Sequence, residues 1–292
     1  VTGRLEATDG LERRPLAGGG GGQEPGAHHR LPGDLGRHVG QGRLPGAGRS
    51  GEDHVLLGID GGDERANQAL DMLRGWNADM KAESAEPLIY AAWLRELSRL
   101  VFADELGPLF DDWNEPREQF VANVLKNNPE WCDDVTTEAK ESCGAILSAA
   151  LDSALEILTA SYGENIAQWR YGEAHEARFT HQIFKSIPLL SSISEAHAPV
   201  GGDDRTINAA AVSYDEASLF QSTYGARYRQ IIDLSDLENS EFIISPGLSG
   251  NIFSPYYKNL AGKWAHGEYI KLAGDRDAVA ARGAGVIELK PE

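Results

Sequence analysis

Residues 1–54 contain no Phe, Tyr, Trp, Ile, Met, Cys, Asn or Lys, and that absence decides where a fold can form. A stretch without aromatics or isoleucine buries too little apolar surface to offset the entropy lost on ordering it. Glycine deepens the deficit: 15 of the 33 glycines lie in this stretch, with an unbroken run from Gly18 to Gly22. A packed core must therefore come from residues 55–292, which form the second division of the chain.

Three origins compete for residues 1–54. A flexible Gly-rich tail is one. A basic arm for nucleic acid is another, but its seven arginines are cancelled by seven acidic residues. The third is GC-rich DNA translated out of frame, because Gly, Arg, Ala, Pro and His have GC-rich codons and most of the missing types do not. The third fits best, and the abrupt change between His54 and Gly61 fits a frame restored partway through a gene. Neither fold nor function is read from this segment.

The whole charge imbalance, 27 − 45 = −18, belongs to residues 55–292. Such a surface repels phosphate backbones and anionic lipid heads, so nucleic acid and membranes are excluded as partners. No uninterrupted apolar run of the roughly 18 residues a spanning helix needs occurs, so no such helix is expected. The chain opens Val-Thr-Gly, without a basic-then-apolar leader.

From residue 62 the apolar residues recur at helical spacing. Ala66, Leu70 and Leu73 lead to Trp76; Ile89, Trp93, Leu97 and Leu100 or Val101 mark a second helix. Phe120, Val121, Val124 and Leu125 follow Pro116, which suits a first helical turn. Ile146, Leu147, Ala150, Leu151, Ala154, Leu155 and Leu158 mark a long amphipathic helix, with Thr136 or Thr137 as candidate caps. After about residue 175 the pattern turns to strands: Ile207 to Val212, the alternating Arg227 to Leu234, Phe242 to Ser245, and a closing strand at Gly285 to Leu289. Helices followed by strands predict an α+β arrangement.

Few residues suggest chemistry. Cys132 and Cys143 are the only cysteines. They read either as a disulfide, worth roughly 2–3 kcal/mol through loop entropy, or as buried thiols. The disulfide is favoured and implies an oxidising compartment. His175 and His181, flanked by Glu173 and Glu176, could hold a metal or act in acid–base chemistry, although most such histidines are hydrogen-bonded core groups. Gly201-Gly202-Asp203-Asp204-Arg205 lacks the lysine of a phosphate loop and the calcium-loop pattern, so a tight turn with an internal Asp–Arg pair is expected. Pro246-Gly247-Leu248-Ser249-Gly250-Asn251 is not a nucleophile elbow. Spacing alone yields no catalytic residue and no cofactor.

Taken in order, several segments resemble the C-terminal part of the penicillin acylase (penicillin amidase) family of N-terminal-nucleophile hydrolases. They are Leu73-Arg74-Gly75-Trp76 with the Ser84 to Trp93 helix; Trp131-Cys132-Asp133-Asp134 with Cys143; and Trp169-Arg170-Tyr171-Gly172-Glu173-Ala174-His175. Pro199 to Asn208, Tyr228 to Leu234, Pro246 to Pro255 and Trp264 complete the series. Leu248 stands where a polar residue is common, and Asp204-Arg205 replaces a smaller pair. The cysteines and the Trp-Cys-Asp-Asp run resemble the branch acting on long-chain acyl amides, including acyl-homoserine-lactone and lipopeptide acylases.

The resemblance implies a fragment of a four-layer αββα sandwich and hydrolysis of a small-molecule acyl amide. In that family an N-terminal serine attacks, its own α-amine serving as base, and a backbone N–H with an Asn side chain holds the oxyanion. It also implies that these groups lie upstream of the matched segments, in a missing α subunit and the N-terminal part of the β subunit. Val1 and Thr2 do not substitute for them. The chain alone is then expected to be inactive and unstable, and the intact enzyme periplasmic or secreted. A stand-alone binding module and a metalloenzyme using His175 and His181 are the alternatives.

Overall fold

The computed structural model describes residues 62–112 and 116–283, which fall in one unit of the chain. The segment 1–54 and the expected strand Gly285 to Leu289 lie outside the described residues.

The first half is helical, as the spacing predicts. Helix α1 (Glu64–Gly75) starts where Asp63 accepts the Ala66 N–H at 2.7 Å, and it buries Ala66, Ala69, Leu70 and Leu73. Helix α2 (Glu86–Leu106) takes Pro87 in its first turn, where no N–H is lost, and ends at Gly107, whose φ of 51° suits a residue without Cβ. Helix α3 (Glu118–Asn127) begins two residues after Pro116, so that proline precedes the helix rather than opening it. Its Phe120 stays half exposed while stacking on Phe102 at 5.6 Å.

Helix α4 (Cys143–Tyr162) is capped by Ser142, which accepts the Ala145 N–H at 3.3 Å. Thr136 and Thr137, the expected caps, belong instead to a turn around Asp134. Over 18 residues α4 is apolar enough to cross a bilayer by composition alone, a match the count of uninterrupted apolar residues does not register. Here it is a core helix, with Ile146, Leu147, Ala150, Leu151, Ala154, Leu155 and Leu158 buried. It lies along α2, where Trp93 Nε1 donates to Leu147 O at 3.0 Å.

One acidic side chain is sealed between those two helices. Glu96, 2 % exposed, accepts from Arg99 at 2.8 Å and from Ser153 on α4 at 3.0 Å, and Arg95 pairs with its other oxygen. A buried carboxylate is tolerable only with such partners.

A single-turn helix α5 (Tyr171–Ala174) leads into two small sheets. The first has the order β2-β1-β4-β3: β1 (Glu176–Phe179), β2 (Ala196–Pro199), β3 (Ala210–Val212) and β4 (Ser222–Gly225). β1 pairs antiparallel with β2 and parallel with β4, while β3 and β4 are antiparallel. Helix α6 (Pro188–Ser194) sits in the excursion between β1 and β2. The second sheet is antiparallel, with β5 (Tyr228–Ile231), β6 (Glu241–Ile244) and β7 (Ile270–Lys271) in that order. Helix α7 (Ala261–Ala265) carries Trp264 into the core beside Phe179 and Ile243, and α8 (Arg276–Arg282) follows.

The class is α+β, as expected. The strands are shorter than their apolar runs suggested: β3 spans only the end of Ile207 to Val212, and β5 stops at Ile231.

Candidate functional site

Three segments meet where the helices join the sheets: the loop from Asn77 to Ser84, the turn from Trp169 to His175, and the loop from Pro199 to Asn208. Backbone hydrogen bonds stitch them together. Tyr171 N donates to Ser84 O, Gly172 N to Ala82 O, and Gly202 N to Met80 O, each at 2.8 Å. The approach demands glycine. A Cβ on Gly201 would lie 2.3 Å from Met80 O, and one on Gly172 would lie 2.9 Å from the Cβ atoms of Ala82 and Pro199. Tyr171 is fully buried, stacks on His175 at 4.5 Å and donates its hydroxyl to Gly202 O at 2.9 Å. That burial raises its pKa well above the usual phenol value.

The Gly201 to Arg205 loop is a turn, but its expected internal Asp–Arg ion pair is not what closes it. Asp203 Oδ1 accepts the backbone N–H groups of Arg205 at 2.8 Å and Thr206 at 2.9 Å. The Arg205 guanidinium reaches away to Glu118 on α3. An Asx-type turn satisfies the aspartate locally and frees the arginine for a longer reach. Burial raises the Asp203 pKa, opposed by the two N–H donors.

Two clefts flank this junction. One, of about 620 Å³ including its open mouth, is lined by Tyr90, Glu118, Asp203, Asp204, Arg205 and Tyr214 among others. The other, about 590 Å³, lies between Asp79, Lys81, Glu83, Gly201, Asn208 and His266.

The cluster read around His175 does not assemble. His175 is fully buried, with Nδ1 2.8 Å from Phe220 O and Nε2 3.1 Å from Ala210 O. Both partners are acceptors, so a neutral ring with one N–H satisfies one of them and turns a bare nitrogen to the other. Burial lowers its pKa to about 4, against the upward pull of both carbonyls. His181 accepts from Ile183 N and Phe184 N and stacks on Phe184. Glu176 binds His197 at 2.9 Å and Arg178 at 3.3 Å. Among the described residues no group of three His, Cys, Asp or Glu side chains could hold a metal.

Cys132 and Cys143 are joined in a disulfide that ties the turn Pro129–Cys132 to the first residue of α4. Towards the end of α2, burial and the neighbouring Asp104 raise the Glu105 pKa to about 7. The loop from Pro246 folds back on itself: a Cβ on Gly247 would lie 2.3 Å from Tyr256 O. Leu248, Phe253 and Tyr256 around it are exposed.

Sequence reasoning missed Arg229. It lies on β5 with its guanidinium over Trp264, 5.3 Å from the ring centroid, and it donates to Asn208 Oδ1 and Trp264 O. The alternation of Arg227 to Leu234 placed Arg229 and Ile231 on one face but could not say which face is covered.

Fold and site define a class first: an α+β assembly in which a helical layer is locked to two small sheets through a glycine-lined junction. The chain belongs to the penicillin amidase family, whose pattern matches residues 35–281. That match starts inside the segment set apart by composition. Acyl-homoserine lactone acylase QuiP of Pseudomonas syringae pv. syringae is 28 % identical over 226 residues, covering 71 % of this chain and 26 % of that protein. Penicillin acylase 2 proenzyme of Pseudomonas sp. (strain SE83) is 27 % identical over 236 residues, covering 80 % of this chain and 30 % of that protein. A thermostable penicillin G acylase from Alcaligenes faecalis superposes with a TM-score of 0.46 at 15 % identity, covering 82 % of this chain and 45 % of that one. The chain thus spans under a third of the length of these two curated relatives.

Proposed function

We propose that residues 55–292 are the C-terminal part of the β subunit of an acylase that hydrolyses the acyl-amide bond of penicillin-, acyl-homoserine-lactone- or lipopeptide-like substrates. Membership of the penicillin amidase family, with so small a share of each relative covered, carries this reading. The helical layer and junction act as scaffold. The attacking serine, its α-amine base and the oxyanion donors come from the upstream portion. An α-amine titrates near neutrality, so it can take the serine proton at physiological pH without a separate base. Tyr171, His175 and Asp203, buried at the junction, serve packing and turns, which fits a supporting role. The intact enzyme works in an oxidising compartment, periplasmic or extracellular, where the Cys132–Cys143 bond persists.

Two measurements test this. The DNA across codons 1–60 and upstream is resequenced and translated in all frames. A shifted frame that continues the hydrolase pattern back to a serine able to become N-terminal is the expected result. The 292-residue chain is then assayed alone and with that upstream region for release of amine from acyl-homoserine lactones and penicillins. Turnover is expected only with the upstream region. Hydrolysis by the purified chain alone would refute the division of labour, and an unbroken present frame would favour a binding module without catalysis.

A further inference from the structure

Arg229 is a cation whose contacts carry no negative charge. Its two terminal nitrogens donate to Asn208 Oδ1 and Trp264 O, its Nε is buried without a partner, and its faces meet the rings of Trp264 and Tyr269. Among the described residues no carboxylate forms an ion pair with it. Burial lowers its pKa, although it stays charged at any physiological pH. Neutral acceptors and ring faces offset part of the desolvation cost, and the remaining positive potential projects towards whatever lies beyond Asn208.

What lies beyond is the second cleft. A guanidinium can only donate, so it fixes the Asn208 oxygen towards itself and turns the Nδ2 amino group the other way. Asn208 is 7 % exposed and lines the cleft with Lys81, Asp79, Glu83 and His266. Donation from a cation to the amide oxygen polarises the amide and strengthens its N–H as a donor. Lys81 Nζ lies 3.2 Å from Asp79 Oδ2, and an ammonium has three N–H donors, so one can serve Asp79 while another faces the cleft. With Arg229 counted, the two cations there balance Asp79 and Glu83. Pro199, Ala82 and Ala265 supply apolar wall.

We propose that Asn208, polarised by Arg229, and Lys81 form a binding site for one small carboxylate with a short aliphatic tail. The Asn208 amino group meets one carboxylate oxygen and Lys81 the other, while the tail lies along Pro199 and Ala265. Equating this ligand with the acid released by amide hydrolysis rests on the proposed activity; carboxylate binding itself does not.

Titration of sodium hexanoate into the 15N-labelled chain, or into its complex with the upstream region if the chain alone does not stay in solution, tests the site. The Asn208 side-chain resonances are assigned by their loss in Asn208→Ser. A saturable shift of these resonances is expected, and sodium chloride at the same ionic strength produces none. Lys81→Gln weakens binding about threefold. Because it also takes the cation from Asp79, which is 7 % exposed, binding is scored at a temperature where the variant's own unfolding curve shows it folded. Arg229→Lys weakens it more, because a single ammonium lacks the planar fork whose two terminal nitrogens reach Asn208 Oδ1 and Trp264 O separately. An unsaturable shift, an equal shift with chloride, tighter binding of inorganic phosphate, or full affinity in Lys81→Gln would each overturn the assignment. Because the readout is binding, loss of the site and failure of the acylase reading are told apart by the separate hydrolysis assay.

Discussion

Ala78 shows how a single backbone angle can be a liability. Its φ is 60°, in the left-handed region that costs a residue with Cβ about 1–2 kcal/mol, and it sits in the loop that delivers Asp79 and Met80 to the junction. Ala78→Gly is expected to stabilise the chain by about 1 kcal/mol after the extra entropy of the unfolded glycine is subtracted, read as a raised midpoint in urea. His175 makes a pH prediction at the same scale. Its pKa is about 4 in the fold, against a usual value near 6.5. The unfolded chain therefore takes up a proton first as pH falls, so stability drops between about pH 6.5 and 4 and the loss levels off below that. The full loss is about 3 kcal/mol, and urea midpoints across this window should flatten in His175→Gln. A slope unchanged by the substitution would show that the ring is charged in the fold, held between its two carbonyls. The sequence signalled that His175 is special but not its partners, because Ala210 and Phe220 contribute only backbone oxygens, which no residue identity reveals.

At the scale of elements, the helices were legible and the sheets only partly so, for a physical reason. In α4 seven buried residues repeat at the helical period, and Leu151→Ala there is expected to cost about 2–5 kcal/mol in a urea titration. β2 reads Ala-His-Ala-Pro and β7 has only two residues, so neither has the β-branched run that marks a strand. β2 exists because Ala196 and Ala198 present small inward faces to the core and because β1 pairs with it through Glu176↔Pro199 to Phe179↔Ala196. Tertiary contact, not local preference, makes these strands. The cysteines carried a signal that spacing left open, and the fold closes it at the start of α4. Replacing both with serine should remove about 2–3 kcal/mol, with the α4 amide protons exchanging faster than those of α2. Equal protection in both helices would mean the bond contributes nothing to anchoring α4.

For the whole molecule, the balance lies between strong charge and uncovered apolar surface. Eighteen net negative charges oppose self-association. Against them stand Ile183 and Leu189 on the excursion between β1 and β2, Leu234 beyond β5, and Phe253 near the Pro246 turn, from 72 % to 89 % exposed. Among the described residues, β5 and β7 are the edge strands of the three-stranded sheet, and an edge strand can take a further strand. Under the proposed reading, this surface is what the upstream region of the acylase covers. The chain alone is therefore expected to bind a hydrophobic dye and to form large species in light scattering, more so at high salt, where the charge is screened. Leu189→Ser with Phe253→Ser should reduce both signals without lowering the unfolding midpoint, because neither side chain is buried in the fold. The upstream region should suppress dye binding to the unaltered chain by covering the same residues. A monomeric chain that binds no dye at any salt concentration would instead mean that these surfaces are tolerated as they stand, and the case for a missing partner would then rest on the family alone.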